Sequence, residues 1–485
     1  MTSAKAVTKT AGPDHPDHVR QPGQLRQPGQ PDQPGDPGNP RSTGRWIEDW
    51  HPEDESFWRR TGRRIATRNL IFSILAEHLA FSVWLLWSVV VVSLPAVGFA
   101  FSVDQLFWLV AVPSLVGSVL RVPYTFAVPR FGGRNWTVAS ALLLVVPTGL
   151  LAFAVSDPGT PYWFFVLVAA TAGLGGGNFA SSMTNMSFFY PERSKGIGLG
   201  LNAAGGNLGT SSVQFLVPIV INAGAGTTLA FAGLMWLPLI LVSAVCAWLF
   251  MDNLAVSRAP VQGQVGAAKR PHTWVMAVLY VGTFGSYIGY SAAFPLLATT
   301  VFPDSGATRY AFLGALVGSL LRPVGGLLAD RFGGARVTFV VFVVMAAGMA
   351  LLLVAVESGS LALFVTAFGV LFAASGVGNG STYRMVPAIF RRQGERAERA
   401  GVPDARRTSL TEAGAAIGII SAVGAFGGFL IPRAYGASLS ATGSVATAVT
   451  AYGLFYVFCL GVTWWFYLRR RVLAARLPSL ADVSV

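Results

Sequence analysis

The sequence predicts an all-α polytopic membrane protein of twelve transmembrane helices arranged as two related six-helix halves. Three observations lead there. Of 485 residues, 53% are hydrophobic and 12% charged, with a mean hydropathy of +0.55, values outside the range of soluble domains. Twelve apolar stretches each approach the roughly 20 residues that a bilayer-crossing helix needs. Finally, GSVLRVPYTFAVPRFGGR at 117–134 returns as GSLLRPVGGLLADRFGGAR at 318–336, so Arg121 and Arg322 occupy matching places 201 positions apart.

Taken in order, residues 1–45 repeat Gln-Pro-Gly and Asp-Pro units with almost no large apolar residue, which predicts a disordered tail and no signal peptide. Residues 46–68 mix Trp46, Trp50, Phe57 and Trp58 with a late run of arginines. That mixture fits either an amphipathic segment lying on the membrane face or a solvated linker. The first half, 69–251, holds spans near 69–94, 105–129, 136–155, 161–185, 196–221 and 228–251. A linker at 252–271 leads to the second half, 272–470, with spans near 272–298, 308–330, 337–356, 359–383, 410–433 and 447–470, and a tail at 471–485.

The net charge of +13 is a statement about topology, because the basic residues alternate between connections. Connections on one side hold Arg130, Arg134, Arg193, Lys195, Arg258, Lys269, Arg270, Arg331, Arg336, Arg391, Arg392, Arg396, Arg399, Arg406 and Arg407; those on the other hold Arg309 and Arg433. By the positive-inside rule both termini are expected in the cytoplasm of a protein in the cytoplasmic membrane, and nucleic acid is not an expected partner. Cys246 and Cys459 fall within spans and imply neither a disulfide nor a metal framework, and no cofactor is expected.

A charge at the bilayer centre costs about 2.5–3.5 kcal/mol on insertion scales, so paired arginines in matching spans need a function. Gly117 and Gly318 precede them by four residues, on the same helix face, and are expected to leave a side-chain-sized gap beside each guanidinium. The arginines either hold a small anion between the halves or pair with acids; Glu77 and Glu412 are the carboxylates within spans, and neither recurs between halves. Glu77 and His78 form an adjacent ionisable pair in the first span, readable as a proton-coupling site or as a structural hydrogen bond to a neighbouring helix.

Both arginine copies run into a basic connection, of which 325–336 is the more complete. It resembles the loop motif of the major facilitator superfamily, where Asp330, Arg331 and Arg336 would tie helix ends into a cytoplasmic gate. The first copy has Val128 and Pro129 where the second has Ala329 and Asp330, so that gate is expected to be one-sided. Glycine-rich runs at 173–192, 196–211, 376–390 and 414–429 include Gly205, Gly209, Gly424 and Gly428. Each glycine costs a helix roughly 1 kcal/mol relative to alanine, so such density predicts close backbone approach and helices that rock. These runs lack the preceding strand and the Gly-Lys-Ser/Thr ending of a nucleotide loop. The charge-dense stretch 391–407 reads as a solvated loop.

The runs GGGNFASSMTNMSFFYPE, GLGLNAAGGNLG and ASGVGNGSTYRMVPAIF resemble the nitrate signatures of the nitrate/nitrite porter family (NarK-like) within the major facilitator superfamily, across about residues 65–475. The resemblance implies that Arg121 and Arg322 bind substrate, with Tyr280, Phe284 and Phe179 as aromatic contacts and Asn207 as the signature asparagine. Taken without it, Tyr280 and Phe284 fit ordinary packing as well. A planar guanidinium fork suits a flat oxyanion, and the Tyr280 hydroxyl can donate to one.

The implied function is nitrate and nitrite transport by a monomer whose halves rock about a central site. Nitrate uptake in exchange for nitrite is the expected mode, and proton symport through Glu77 and His78 is the alternative. An enzyme would need a nucleophile, metal cluster or acid pair in a cleft, and none is present in the sequence pattern. A non-transporting anion sensor would need a folded output domain, which neither tail has the composition to form. A facilitator for cyanate or formate is compatible with the arginine spacing and is disfavoured by the signatures.

Overall fold

The computed structural model describes residues 42–469 apart from 225–227, 259–261 and 304. Of the tails expected at 1–45 and 471–485, residues 1–41 and 471–485 lie outside the described residues, whereas 42–45, expected as disordered, include a strand at Ser42–Thr43. Twelve helices are long and apolar enough to cross a membrane: span 1 (Glu55–Ser93), span 2 (Val103–Phe131), span 3 (Gly133–Ala154), span 4 (Tyr162–Phe189), span 5 (Glu192–Ile221), span 6 (Phe231–Phe250), span 7 (Pro271–Val301), span 8 (Ala307–Phe332), span 9 (Gly334–Glu357), span 10 (Leu361–Arg399), span 11 (Ala405–Thr442) and span 12 (Ala446–Leu468). Every stretch expected from the sequence is one of them. Outward-facing side chains such as Phe153, Trp163 and Leu327 are exposed and apolar, as a lipid-solvated surface requires.

Local chemistry explains the boundaries. Ser102 and Gln105 form a capping box that starts span 2, each side chain accepting from the other's backbone N–H. Span 2 ends at Gly132 and span 8 at Gly333, with φ of +88° and +90°, a left-handed region that β-carbons disfavour. The repeated Arg-Phe-Gly-Gly is therefore a tight helix-to-helix corner, used once in each half. Span 1 breaks after Trp84 and restarts at Trp87, while span 7 is interrupted by a π-helical turn at Val281–Gly285.

The glycine runs bring helices to backbone contact. A β-carbon at Gly173 of span 4 would lie 2.7 Å from the Gly117 nitrogen in span 2, and one at Gly376 of span 10 would lie 2.8 Å from the Gly318 Cα in span 8. The same glycine-to-glycine crossing is thus built twice. Gly428 of span 11 meets Ser114 of span 2 and Ile288 of span 7, so close packing also runs across the two halves. Gly205 and Gly209 press span 5 against Ile74 and the His78 carbonyl of span 1, and Gly424 makes room for the Tyr280 ring.

Two expectations are corrected. Residues 46–68 do not form a loose linker: β1 (Ser42–Thr43) and β2 (Trp46–Ile47) pair, β2 pairs in parallel with β3 (Asn253–Leu254), and the helix of span 1 is already under way at Glu55. Asp252 fastens this clamp, accepting from Arg68 at 2.5 Å and from Asn69 Nδ2 at 2.9 Å, while Arg258 stacks on Trp46 at 3.7 Å. The stretch 391–407 is not a loop, because span 10 continues as helix to Arg399. Within the linker expected at 252–271, Gln262–Lys269 is helical and packs on span 11.

Strand β3, residue 469 and the start of span 1 share one end of the bundle, called here the termini end. At the opposite end the halves are joined: Arg433 of span 11 meets Asp104 of span 2 at 2.9 Å, and Gln214 Nε2 of span 5 donates to the Ser291 carbonyl of span 7 at 2.6 Å.

Candidate functional site

Spans 2 and 8 bring Arg121 and Arg322 to the middle of the bundle, where they are 0% and 4% exposed. Phe179 of span 4 is the element between them. Its ring centroid is 4.7 Å from the Arg121 guanidinium carbon and 5.7 Å from that of Arg322. Two like charges therefore flank one aromatic face in a region without bulk water, which is costly unless an anion compensates.

The rings continue as a stack. Phe284 lies 6.0 Å from Phe179 and 5.2 Å from Tyr280, nearly parallel to both, and 5.0 Å from the Arg121 guanidinium. The π-helical turn at Val281–Gly285 starts directly after Tyr280 and contains Phe284, so it sets how far the two rings overlap. All the aromatic residues expected from the sequence therefore meet at the arginines.

Hydrogen bonding distinguishes the two cations. Arg121 Nε donates to the Gly176 carbonyl at 3.1 Å and Nη1 to the Ser421 carbonyl at 2.7 Å, leaving Nη2 without a partner among the described groups. Both Nη atoms of Arg322 are buried and unpartnered. So are the Tyr280 hydroxyl and both amide atoms of Asn207. An unmet buried donor costs about 1–3 kcal/mol, so the open Nη groups of Arg121 and Arg322 around Phe179 mark a place where something else accepts. The arrangement offers forked cationic donors between apolar ring faces, chemistry suited to a small planar oxyanion.

The side-chain gap expected beside each guanidinium is absent. A β-carbon at Gly117 would lie 2.7 Å from Trp84 Nε1, and one at Gly318 would lie 2.7 Å from the Tyr287 ring. These glycines admit a large aromatic rather than a ligand. Trp84 also flanks Arg121 at 5.4 Å while its indole N–H bonds the Pro113 carbonyl.

Glu77 and His78 point different ways. Glu77 is fully buried and accepts from Ser182 of span 4 and from Asn202 Nδ2 of span 5 at 2.7 Å, with Oε1 unpartnered. His78 Nδ1 sits 3.1 Å from the Gly205 carbonyl, against the span 5 backbone. Glu412 is bonded by Arg270 at 2.9 Å, so it is not a partner of the central arginines.

At the termini end Asp330 pairs with Arg384 of span 10 at 2.5 Å; neither Arg331 nor Arg336 is its ion-pair partner among the described residues. In the first half the position matching Asp330 is Pro129, which carries no carboxylate. Arg134 donates instead to the Trp248 carbonyl, at 2.9 Å from Nε and 2.7 Å from Nη2. The expected one-sidedness is present, and span 10 supplies the partner.

Sequence reasoning missed Trp84, Tyr383 and Asn379. Tyr383 faces Arg322 at 5.5 Å with its hydroxyl unpartnered, and Asn379 is buried with both amide atoms unpartnered. Asn379 carried a usable signal: it follows Asn178 by the same 201 positions that separate the arginines. Tyr383 and Trp84 carried none, since only tertiary packing brings them to the guanidiniums.

Comparison with known proteins identifies the family. The Major Facilitator Superfamily model matches residues 79–403. The nitrate/nitrite transporter NarU of Salmonella typhimurium is 44% identical over 446 residues, covering 88% of this chain and 96% of that protein. The probable nitrate/nitrite antiporter NarK2 of Thermus thermophilus is 37% identical over 455 residues, with 88% and 97% covered. Among solved structures, a D-xylose-proton symporter superposes with a TM-score of 0.60 at 16% identity over 82% of this chain and 97% of that one, a likeness of fold alone. With a superfamily match over most of its length and relatives at this identity, the chain belongs to the major facilitator superfamily and, within it, to the group of these nitrate/nitrite transporters.

Proposed function

We propose that this chain is a secondary transporter of nitrate and nitrite in the cytoplasmic membrane, working as a monomer by alternating access and taking up nitrate in exchange for nitrite. The observation that carries the reading is one buried arginine from each half within 6 Å of the same ring, Phe179, at 4.7 Å for Arg121 and 5.7 Å for Arg322. Relatives named as nitrate/nitrite transporters and antiporters support the choice of anion and of mode. The basic connections at the termini end favour that end as cytoplasmic.

The mechanism follows from charge. An empty site leaves two cations facing one ring, which resists bringing the halves together. A bound anion relieves that repulsion, so reorientation requires a passenger in both directions. Exchange is also favoured energetically, because moving one negative charge inward against 100 mV costs about 2.3 kcal/mol, whereas nitrate-for-nitrite exchange moves no net charge. Tyr280 and Asn207 supply further polar contacts to the oxyanion, and Phe179 and Phe284 shape the space around it. The homologues act as transporters, and no catalytic role is assigned to any residue here.

Glu77 supports a second reading, proton symport. It is a fully buried carboxylate with one unpartnered oxygen in span 1, between spans 4 and 5. Counterflow in proteoliposomes at clamped voltage separates the two. Exchange predicts that internal nitrite accelerates nitrate entry at least severalfold, with no lumenal acidification and no loss in Glu77→Gln. Nitrate-driven acidification that Glu77→Gln abolishes would replace exchange with symport.

A further inference from the structure

At the termini end of the second half lies a cavity of about 630 Å³ lined by Arg331, Arg336, Arg384 and Arg391, with Asp330 as its one acid. Asp330 is paired with Arg384 through Nε. Arg331, Arg336 and Arg391 are exposed and have no carboxylate partner among the described residues. The nearby Glu395 is taken by Arg392 at 3.4 Å. The cavity therefore carries a formal excess of three positive charges. It is not part of the central site, which lies at the middle of spans 2 and 8.

Its surroundings set its depth. Tyr467 and Leu468 at the end of span 12 form one wall, and Trp464 and Trp465 beside them are 45% and 43% exposed. Exposed tryptophans at a span end belong at the headgroup layer. Phe332, 51% exposed, adds an apolar lip, and Arg469 covers Trp465 at 3.7 Å. Arginines, interfacial tryptophans and an apolar lip together match a phosphodiester headgroup with its acyl chains running along the bundle.

The first half shows what filling this position looks like. There the corresponding corner is occupied by the chain itself: a β-carbon at Gly132 would meet the Asn253 side chain and the Trp46 ring, and Arg134 is bonded to the Trp248 carbonyl. In the second half the matching corner keeps its arginines around a cavity. The segment 470–485 adds Arg470, Arg471 and Arg476, and that excess of like charge disfavours it as an occupant.

We propose that this cavity binds the headgroup of an anionic phospholipid, and that the lipid bridges spans 8, 9, 10 and 12 at the termini end. The shared chemistry is a phosphate oxyanion, so the test must separate lipid from free phosphate. The full chain, in phosphatidylcholine vesicles with and without phosphatidylglycerol, is extracted and its retained lipid counted by native mass spectrometry. The parent is expected to retain phosphatidylglycerol. The Arg336→Gln/Arg391→Gln variant is expected to retain about thirtyfold less, since each of the two arginines near the headgroup layer contributes on the order of 1 kcal/mol. Both side chains are exposed, and the thermal midpoint in pure phosphatidylcholine checks that the variant is folded. Phosphatidylglycerol should raise the parent's midpoint and leave the variant's unchanged. Equal retention by parent and variant overturns the site. An equal rise of the parent's midpoint in inorganic phosphate without phosphatidylglycerol overturns the lipid in favour of a soluble phosphate.

Discussion

The two halves repeat one arginine and use it differently. Arg121 is held by two carbonyls, Gly176 in its own half and Ser421 in the other, and by three aromatic faces, Trp84, Phe179 and Phe284. Arg322 touches Phe179 and Tyr383, and both its terminal nitrogens are unmet. The difference teaches a division of labour: the first-half arginine is oriented in advance and joins the halves, whereas the second-half arginine holds the open donor capacity. Preorganisation of one partner lowers the ordering cost of binding, and the other supplies the new bonds.

The sharpest way to break this comparison is Arg322→Lys, which removes a forked pair of donors. Charge-assisted hydrogen bonds contribute roughly 1.5–3 kcal/mol each, so nitrate counterflow should fall at least about a hundredfold. Arg121→Lys should also abolish uptake, and should in addition lower the thermal midpoint, because two carbonyls lose their donor. Retained uptake in either variant removes these residues from the binding site. Equal thermal effects of the two substitutions would erase the distinction between them.

The next effect concerns the paired glycine crossings. Gly173→Ala and Gly376→Ala each force a β-carbon against a facing glycine backbone, and overpacking of this kind costs about 1–3 kcal/mol. Both variants should lose thermal stability and exchange slowly, with KM little changed. A variant with parental turnover would show that its crossing does not need to be tight. The smallest effect is that of Tyr280→Phe, which deletes one neutral donor and keeps the ring stack. A net contribution of about 0.5–1.5 kcal/mol predicts a KM raised about two- to tenfold at near-parental maximal rate.

Much of this was legible before any coordinates. The repeat announced itself because membrane-buried arginine is too costly to recur by accident, and the Arg-Phe-Gly-Gly corner named the turn that follows each copy. The buried arginine pair is readable from those residues; the rings expected around it came through the family resemblance. What stayed hidden depends on contacts between distant segments. The strand pairing of Trp46–Ile47 with Asn253–Leu254 joins positions some 200 apart that share no pattern. Helix 391–399 looked like a loop because its composition is charged, although Arg392 and Glu395 lie one turn apart and pair. The glycines beside the arginines suggested space for a ligand, and the sequence had no means of saying that Trp84 and Tyr287 would take it.

The π-helical turn at Val281–Gly285 has a consequence for how this protein tolerates change in length. An α-helix advances about 100° per residue, so one surplus residue in a turn leaves the two sides of span 7 out of phase. Tyr280 faces the arginines only because that residue is present. Deleting any one of positions 281 to 283 would leave span 7 long and apolar enough to insert, yet rotate Tyr280 out of phase with Phe284 and the arginines. In this span, residue count carries information that hydrophobicity does not.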